Sequence, residues 1–226
     1  MVYFFAILYT IDVFINLFGC ITGNQMITAA SKPFLMPLLM ASAVLILIQQ
    51  TRNDRLLMIC IACALAFGTL GDVFLLSKEK ICFVAGLLSF LVGHIFWISI
   101  NASKLRQMPQ HIMIICAVLY AAYIIAAFNM AGKPAGILRI GIILYLLALC
   151  ILNLTGVAAV WTFKNSASVL FFVGTILFPL SDTLLGYSLF CRKFPLSGFF
   201  IMLTYIAAQT LLTAGSILPV LAHTGK

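Results

Sequence analysis

Charge is the scarcest property of this chain. Only 8% of its 226 residues are Asp, Glu, Lys or Arg, against about a quarter in soluble domains, and that shortage excludes a soluble globular domain. Acidic residues are rarest: Asp12, Asp54, Asp72, Glu79 and Asp182 are the full set of five. Metal-ligand patterns are missing too. The seven cysteines (20, 60, 63, 82, 116, 150 and 191) lie mostly inside apolar runs, and Cys60 and Cys63 have neither a second pair nor a nearby His. They read as small apolar residues, and no metal or other cofactor is expected. The absence of a G-x-S-x-G elbow argues against a serine lipase. The net charge of +8 sits almost entirely in short loops, where it suits anionic lipid headgroups, and no nucleic-acid-binding motif accompanies it.

Apolar length, by contrast, is abundant. Hydrophobic residues make up 64% of the chain and fall into eight runs of bilayer-crossing size, near 2–19, 31–50, 55–76, 81–100, 111–130, 138–160, 166–190 and 197–220. The fold class is therefore all-α, a polytopic membrane protein built as an eight-transmembrane-helix bundle, with residues 1–226 as one integral membrane domain. The polar breaks are short: "GNQ" at 23–25, "TRNDR" at 51–55, "SKEK" at 77–80, "NASKLRQMPQ" at 101–110, "AGKPAG" at 131–136, "FKNSA" at 163–167 and "CRKFP" at 191–195. Neighbouring helices must then run antiparallel. The first run carries Asp12 and lacks a basic flank, so it reads as a retained helix and not a signal peptide. Lys and Arg divide six to seven between the two membrane faces, which leaves orientation open. "GDVFLL" in the third span and "SDTLLG" in the seventh share small-Asp-x-x-Leu. With "SKP" (31–33) and "GKP" (132–134), that spacing would suit a four-plus-four parallel duplication.

Besides Asp12 in the first span, two carboxylates lie inside these spans, Asp72 in "GTLGDVFLLS" and Asp182 in "FPLSDTLLGY". Each costs roughly 2.5–3.5 kcal/mol near the middle of a membrane helix, so each needs a partner or a purpose. Counting at about 1.5 Å per residue puts Asp72 about 6 Å and Asp182 about 12 Å inside the same membrane face. Lys32 starts the second span on that face, Tyr205 lies about 12 Å in, and His94 and Gln209 lie somewhat deeper. Polar groups from five helices thus meet at overlapping depths, as a shared polar cavity would require. Gly68, Gly71, Gly93 and Gly174 nearby would allow close helix packing, and Pro179 should kink the seventh helix.

Each of these residues also has an ordinary structural reading. Asp72 and Asp182 could form ion pairs or helix–helix hydrogen bonds, His94 could pack between helices, and Lys32 could reach back to the headgroups. Tyr145, Tyr205 and Gln209 could be interhelical hydrogen-bonders, and Asp12, without a partner at its position, reads as structural. Lys78/Lys80 and Arg192/Lys193 follow the two Asp-bearing helices and could face lipid phosphates or hold a substrate phosphate.

The blocks "SKPFLMPLL", "GDVFLLS", "GLLSFLVGHIFWI", "GTILFPLSDTLLGY" and "TYIAAQTLL" resemble, in order and spacing, the YhhN family of lysoplasmalogenases. The resemblance implies eight transmembrane helices and a multi-pass location, here expected to be a bacterial inner membrane. It also implies hydrolysis of the vinyl-ether bond of a lysophospholipid, giving a fatty aldehyde and glycerophosphoethanolamine or glycerophosphocholine. The family's polar positions carry over to Lys32, Asp72, His94, Tyr145, Ser181, Asp182, Tyr205 and Gln209. Two departures remove hydroxyls: Trp97 stands where the family usually has Tyr, and Tyr205 is followed by Ile206 where a tyrosine pair is usual.

Vinyl-ether hydrolysis needs an acid to protonate the β-carbon and a carboxylate to activate water, a division of labour shared with glycosidases. Asp72 and Asp182 are the expected catalytic pair, with the donor not readable from sequence. Ser181 and Tyr205 would orient water or substrate, Tyr145 and Gln209 would line the substrate site, and His94 would hydrogen-bond a carboxylate. Lys32 would bind phosphate or hold one Asp ionised. The expected partners are the lysophospholipid and the surrounding lipids. Two rivals make different predictions. A proton-coupled transporter would show pH-gradient-dependent uptake without product, and a lipid-binding protein would tolerate loss of either Asp.

Overall fold

The computed structural model describes every residue except 50–53, 78, 131, 133–135 and 225–226, and the side chains of 137, 223 and 224 also lie outside the description. Parts of the "TRNDR", "SKEK" and "AGKPAG" breaks, with Lys78, fall on those residues. Among the described residues, eight α-helices follow one another: α1 (Val2–Thr22), α2 (Gln25–Ile48), α3 (Arg55–Phe74), α4 (Lys80–Asn101), α5 (Gln110–Met130), α6 (Gly136–Phe163), α7 (Ser166–Phe190) and α8 (Ser197–Thr224). All eight are long and apolar enough to cross a bilayer, so the protein is an all-helical, multi-pass integral membrane protein. Large apolar side chains such as Phe4, Phe14, Phe18 and Leu119 face outward, as a lipid-facing surface requires.

Most helix boundaries fall within a few residues of the hydropathy reading, but α2 starts six residues earlier, at Gln25 and not 31. Gly23 closes α1 in the left-handed conformation (φ 69°). Asn24 then caps α2, its side chain accepting from the N–H groups of Met26 and Ile27. Lys32 therefore lies two turns inside α2 and not at its start. The 101–110 break is also more ordered than its polarity suggests, because Ala102–Gln107 form a 3₁₀ turn packed against α4 and α6. Helix α7 runs unbroken through Pro179, whose carbonyl accepts from the Thr183 hydroxyl at 2.6 Å.

Seven helices form a closed ring in the order α1, α2, α3, α4, α6, α7, α8, with α8 returning to α1 and also touching α2 and α3. Helix α5 stands outside this ring against α6 and α7 and buries only Cys116. The core lies inside the ring, where Leu35, Met36, Ile61, Leu65, Trp97 and Leu212 are almost fully enclosed. Polar cross-links tie α1 into the ring: Tyr9 and Thr210 share a hydrogen bond of 2.6 Å, and Asn16 donates to Ser31 at 2.9 Å.

Candidate active site

Asp72 sits two residues from the end of α3 and is 1% exposed. Two residues complete its coordination. Lys32 Nζ lies 3.3 Å from Oδ1, and the Tyr205 hydroxyl donates to Oδ2 at 2.8 Å. The earlier start of α2 is what makes this ion pair possible, since it brings Lys32 inward to the level of the carboxylate. The glycines on α3 clear the same face. A Cβ on Gly71 would meet the Phe90 ring at 2.6 Å, and one on Gly68 would meet Gln209 Nε2 at 3.3 Å.

Asp182 sits in a different setting on α7. It accepts from the Tyr145 hydroxyl at 2.6 Å, and it lines a cavity with about 720 Å³ of empty space, open solvent at its mouth included. Leu75, Phe83, Phe90, Met130, Ile142 and Phe190 are among the cavity's apolar walls, and among the described residues Asp182 is its sole acidic one. Its lining comes from the ends of α3, α5 and α7 and the starts of α4 and α6, and the exposed Leu189 and Phe190 at the end of α7 put its mouth there.

Aromatic rings fill the space between the two carboxylates. Phe178, one turn before Asp182, packs edge-on against His94 (centroids 4.5 Å apart) and Tyr205 (5.7 Å). His94 also packs against Tyr145 at 5.3 Å, and Phe90 against Tyr205 at 6.0 Å. Ring contacts thus run from Tyr205, the partner of Asp72, to Tyr145, the partner of Asp182. Only Asp182 reaches the cavity, however, while Phe90 lines its wall and packs on Gly71 beside Asp72.

A model of the YhhN family matches residues 27–216. The chain belongs to the YhhN family. It is 30% identical to lysoplasmalogenase TMEM86A of Bos taurus over 156 residues, and 28% identical to that of Homo sapiens over 162 residues. Each match covers 68% of this chain and spans 63% of the relative's length. No solved structure matches the chain.

In this YhhN chain the positions singled out by sequence divide into three groups. Lys32, Asp72, Tyr205 and Gln209 form one buried network, which Trp97 extends by donating its indole N–H to Gln209 Oε1 at 3.2 Å. The Trp97 departure thus replaces a hydroxyl donor with an N–H donor. Tyr145 and Asp182 form the second group, at the cavity. The third group stands apart from both carboxylates. Ser181 donates to the Ile201 carbonyl at 3.0 Å and so joins α7 to α8. His94 is fully buried, its Nε2 has no hydrogen-bond partner, and the expected bond to a carboxylate is not formed. Asp12 likewise has a buried, unpartnered Oδ2. Tyr123, Thr183, Phe90 and Phe178 were not singled out from sequence, yet all four shape the site. Thr183 stands next to Asp182, and Phe178 precedes it by one turn, which is the signal that would have found them.

Proposed function

We propose that this YhhN protein is a membrane-embedded hydrolase that cleaves the vinyl-ether bond of a lysoplasmalogen. The products would be a fatty aldehyde and a glycerophosphoethanolamine or glycerophosphocholine. One observation carries the reading: among the described residues Asp182 is the one carboxyl group lining a mainly apolar cavity, with the Tyr145 hydroxyl donating to it. The relatives named lysoplasmalogenase support it.

Asp182 in its acid form gives its proton to the β-carbon of the vinyl ether. The C=C electron pair forms the new C–H bond, and positive charge spreads over the α-carbon and the ether oxygen. Water attacks the α-carbon while the Asp182 carboxylate takes one of its protons, which restores the acid and leaves a hemiacetal. Breaking the bond between that carbon and the glycerol oxygen then releases aldehyde and alcohol, the hydroxyl proton passing to the departing oxygen. The Tyr145 hydroxyl donates to the carboxylate and steadies it whenever it is charged. General acid–base catalysis of this kind contributes about 10²–10⁴-fold.

Asp72 takes a different part from the one expected of it. At 1% exposure, and paired with Lys32, it does not line the cavity. It holds Lys32 and Tyr205 in place, and Tyr205 in turn packs on Phe90 at the cavity wall and on Phe178 behind it. Asp72 is therefore a positioning residue, and Lys32 serves it and not the substrate phosphate. Lys80, Arg192 and Lys193 are exposed on the mouth side, where their charge suits the phosphate of the substrate.

The test is incubation of the purified protein with a lysoplasmalogen, followed by mass spectrometry of free fatty aldehyde. An ester lysophospholipid and a saturated-ether lysophospholipid serve as companions. Aldehyde from the vinyl ether alone is the predicted result. Absence of aldehyde under all conditions, or pH-gradient-dependent uptake without product, removes the hydrolase reading.

A further inference from the structure

A second cavity lies deeper between α5, α6 and α7, with about 870 Å³ of empty space, its open side included. The first cavity and this one share two lining residues, Tyr123 and Thr183, whose hydroxyls are 3.2 Å apart. Their relation follows from depth along each helix. On α5, Met130 and Ala127 line the outer cavity, Tyr123 lines both, and Leu119 lines the deeper one. On α6, which runs the opposite way, Ile142 and Leu146 line the outer cavity while Leu149 and Asn153 line the deeper one. On α7, Leu189 and Asp182 give way through Thr183 to Leu180 and Ile176. Three helices report the same order, so the cavities are stacked end to end from the mouth toward the bilayer middle.

We propose that the deeper cavity is a tail compartment for the hydrocarbon chain of the lipid whose head is at Asp182, and that Tyr123 forms the waist through which the chain passes. This assignment rests on the lysolipid reading above and adds to it the element that selects chain length. The dimensions suit the occupant. Met130 to Leu119 on α5 is a rise of about 16 Å, close to half of the roughly 30 Å hydrocarbon core and so to the depth of one leaflet's chains. The chemistry suits it as well. Polar groups in the compartment are already engaged with each other, Tyr120 donating to Asn153 at 2.7 Å and Asn153 to Thr175 at 3.1 Å. An apolar chain therefore leaves no new polar group without a partner. Leu119, Ile176 and Leu180 are 61%, 44% and 44% exposed, so the compartment also opens sideways, and a chain can enter it from the lipid.

The native Cys150 thiol lines the deeper cavity, while Cys63, partly exposed on α3, lines neither cavity. The experiment is alkylation of the protein in nanodiscs by an apolar maleimide, read per cysteine by peptide mass spectrometry. It is run with saturated-ether lysophospholipids that have one headgroup and either an octyl or a hexadecyl chain. Such ethers carry no vinyl group, so occupancy is measured without turnover. The hexadecyl lipid is expected to slow Cys150 alkylation about tenfold while the octyl lipid and Cys63 show no effect. In a second arm, Ile176→Trp and Leu180→Trp narrow the compartment from its lipid side. Each is expected to lower the kcat/KM ratio of long-chain to short-chain lysoplasmalogen about tenfold. Protection independent of chain length, a Cys150 that never reacts, or an unchanged ratio overturns the tail assignment. Chain-dependent protection without any aldehyde would remove the hydrolase reading and leave the lipid-tail site standing, whereas aldehyde without protection would do the reverse.

Discussion

Asp72, buried, shares an ion pair with the partly buried Lys32, and removing either partner leaves the other charge without its counter-charge. Lys32→Met and Asp72→Asn should therefore each destabilise the protein by about 3–5 kcal/mol, with the double variant regaining most of the loss. Thermal unfolding in detergent measures this, and additive losses would contradict the pairing. Asp182→Asn should behave differently, since an amide oxygen still accepts from Tyr145 and no cation is left behind. Its melting temperature should stay near that of the native protein while kcat for aldehyde release falls about 10²–10⁴-fold. Both carboxylates were legible in the sequence because so few charges lie within the spans. Their partners were not. Nothing in the spacing says that Tyr205 belongs to Asp72 and Tyr145 to Asp182, since that choice depends on which helices become neighbours.

At the level of helices, α7 and α8 form the closest pair in the site's scaffold. A Cβ on Gly174 would meet the backbone of Leu212 at 2.9 Å and the Ala208 carbonyl at 3.0 Å. These are main-chain atoms and cannot swing aside, so Gly174→Ala should cost about 1–3 kcal/mol through overpacking. Gly198→Ala, where a Cβ meets nothing within 4 Å, provides the control and should leave thermal stability unchanged. Equal melting temperatures for the two would contradict the close approach. Helix number and order were legible from apolar run length alone. The start of α2 was not, because its first turns, "QMITAAS", are too polar to register as membrane and are specified by the Asn24 cap. That six-residue difference moved Lys32 from the membrane surface to the carboxylate.

On the scale of the whole molecule, the ring of seven helices with α5 outside it explains why two cavities lie against α5, α6 and α7. The ring buries the Lys32–Asp72–Tyr205 network, whereas the loosely held α5 leaves room for cavities against α6 and α7. This arrangement was hidden in the sequence, because helices that are apolar on every face do not announce which face meets a neighbour. The mouth of the Asp182 cavity lies on the side of the α7–α8 connection, which carries the exposed Cys191. In sealed proteoliposomes of one orientation, the water-soluble glycerophospho product should appear on the side where a membrane-impermeant maleimide labels Cys191. Release to the opposite side would contradict the placement of the mouth. The most direct test of the central claim is the rate of aldehyde formation from lysoplasmalogen by the native and Asp182→Asn proteins side by side. Aldehyde from the native protein and a loss of at least about a hundredfold in the variant is the predicted result, and turnover by Asp182→Asn near the native rate would contradict it.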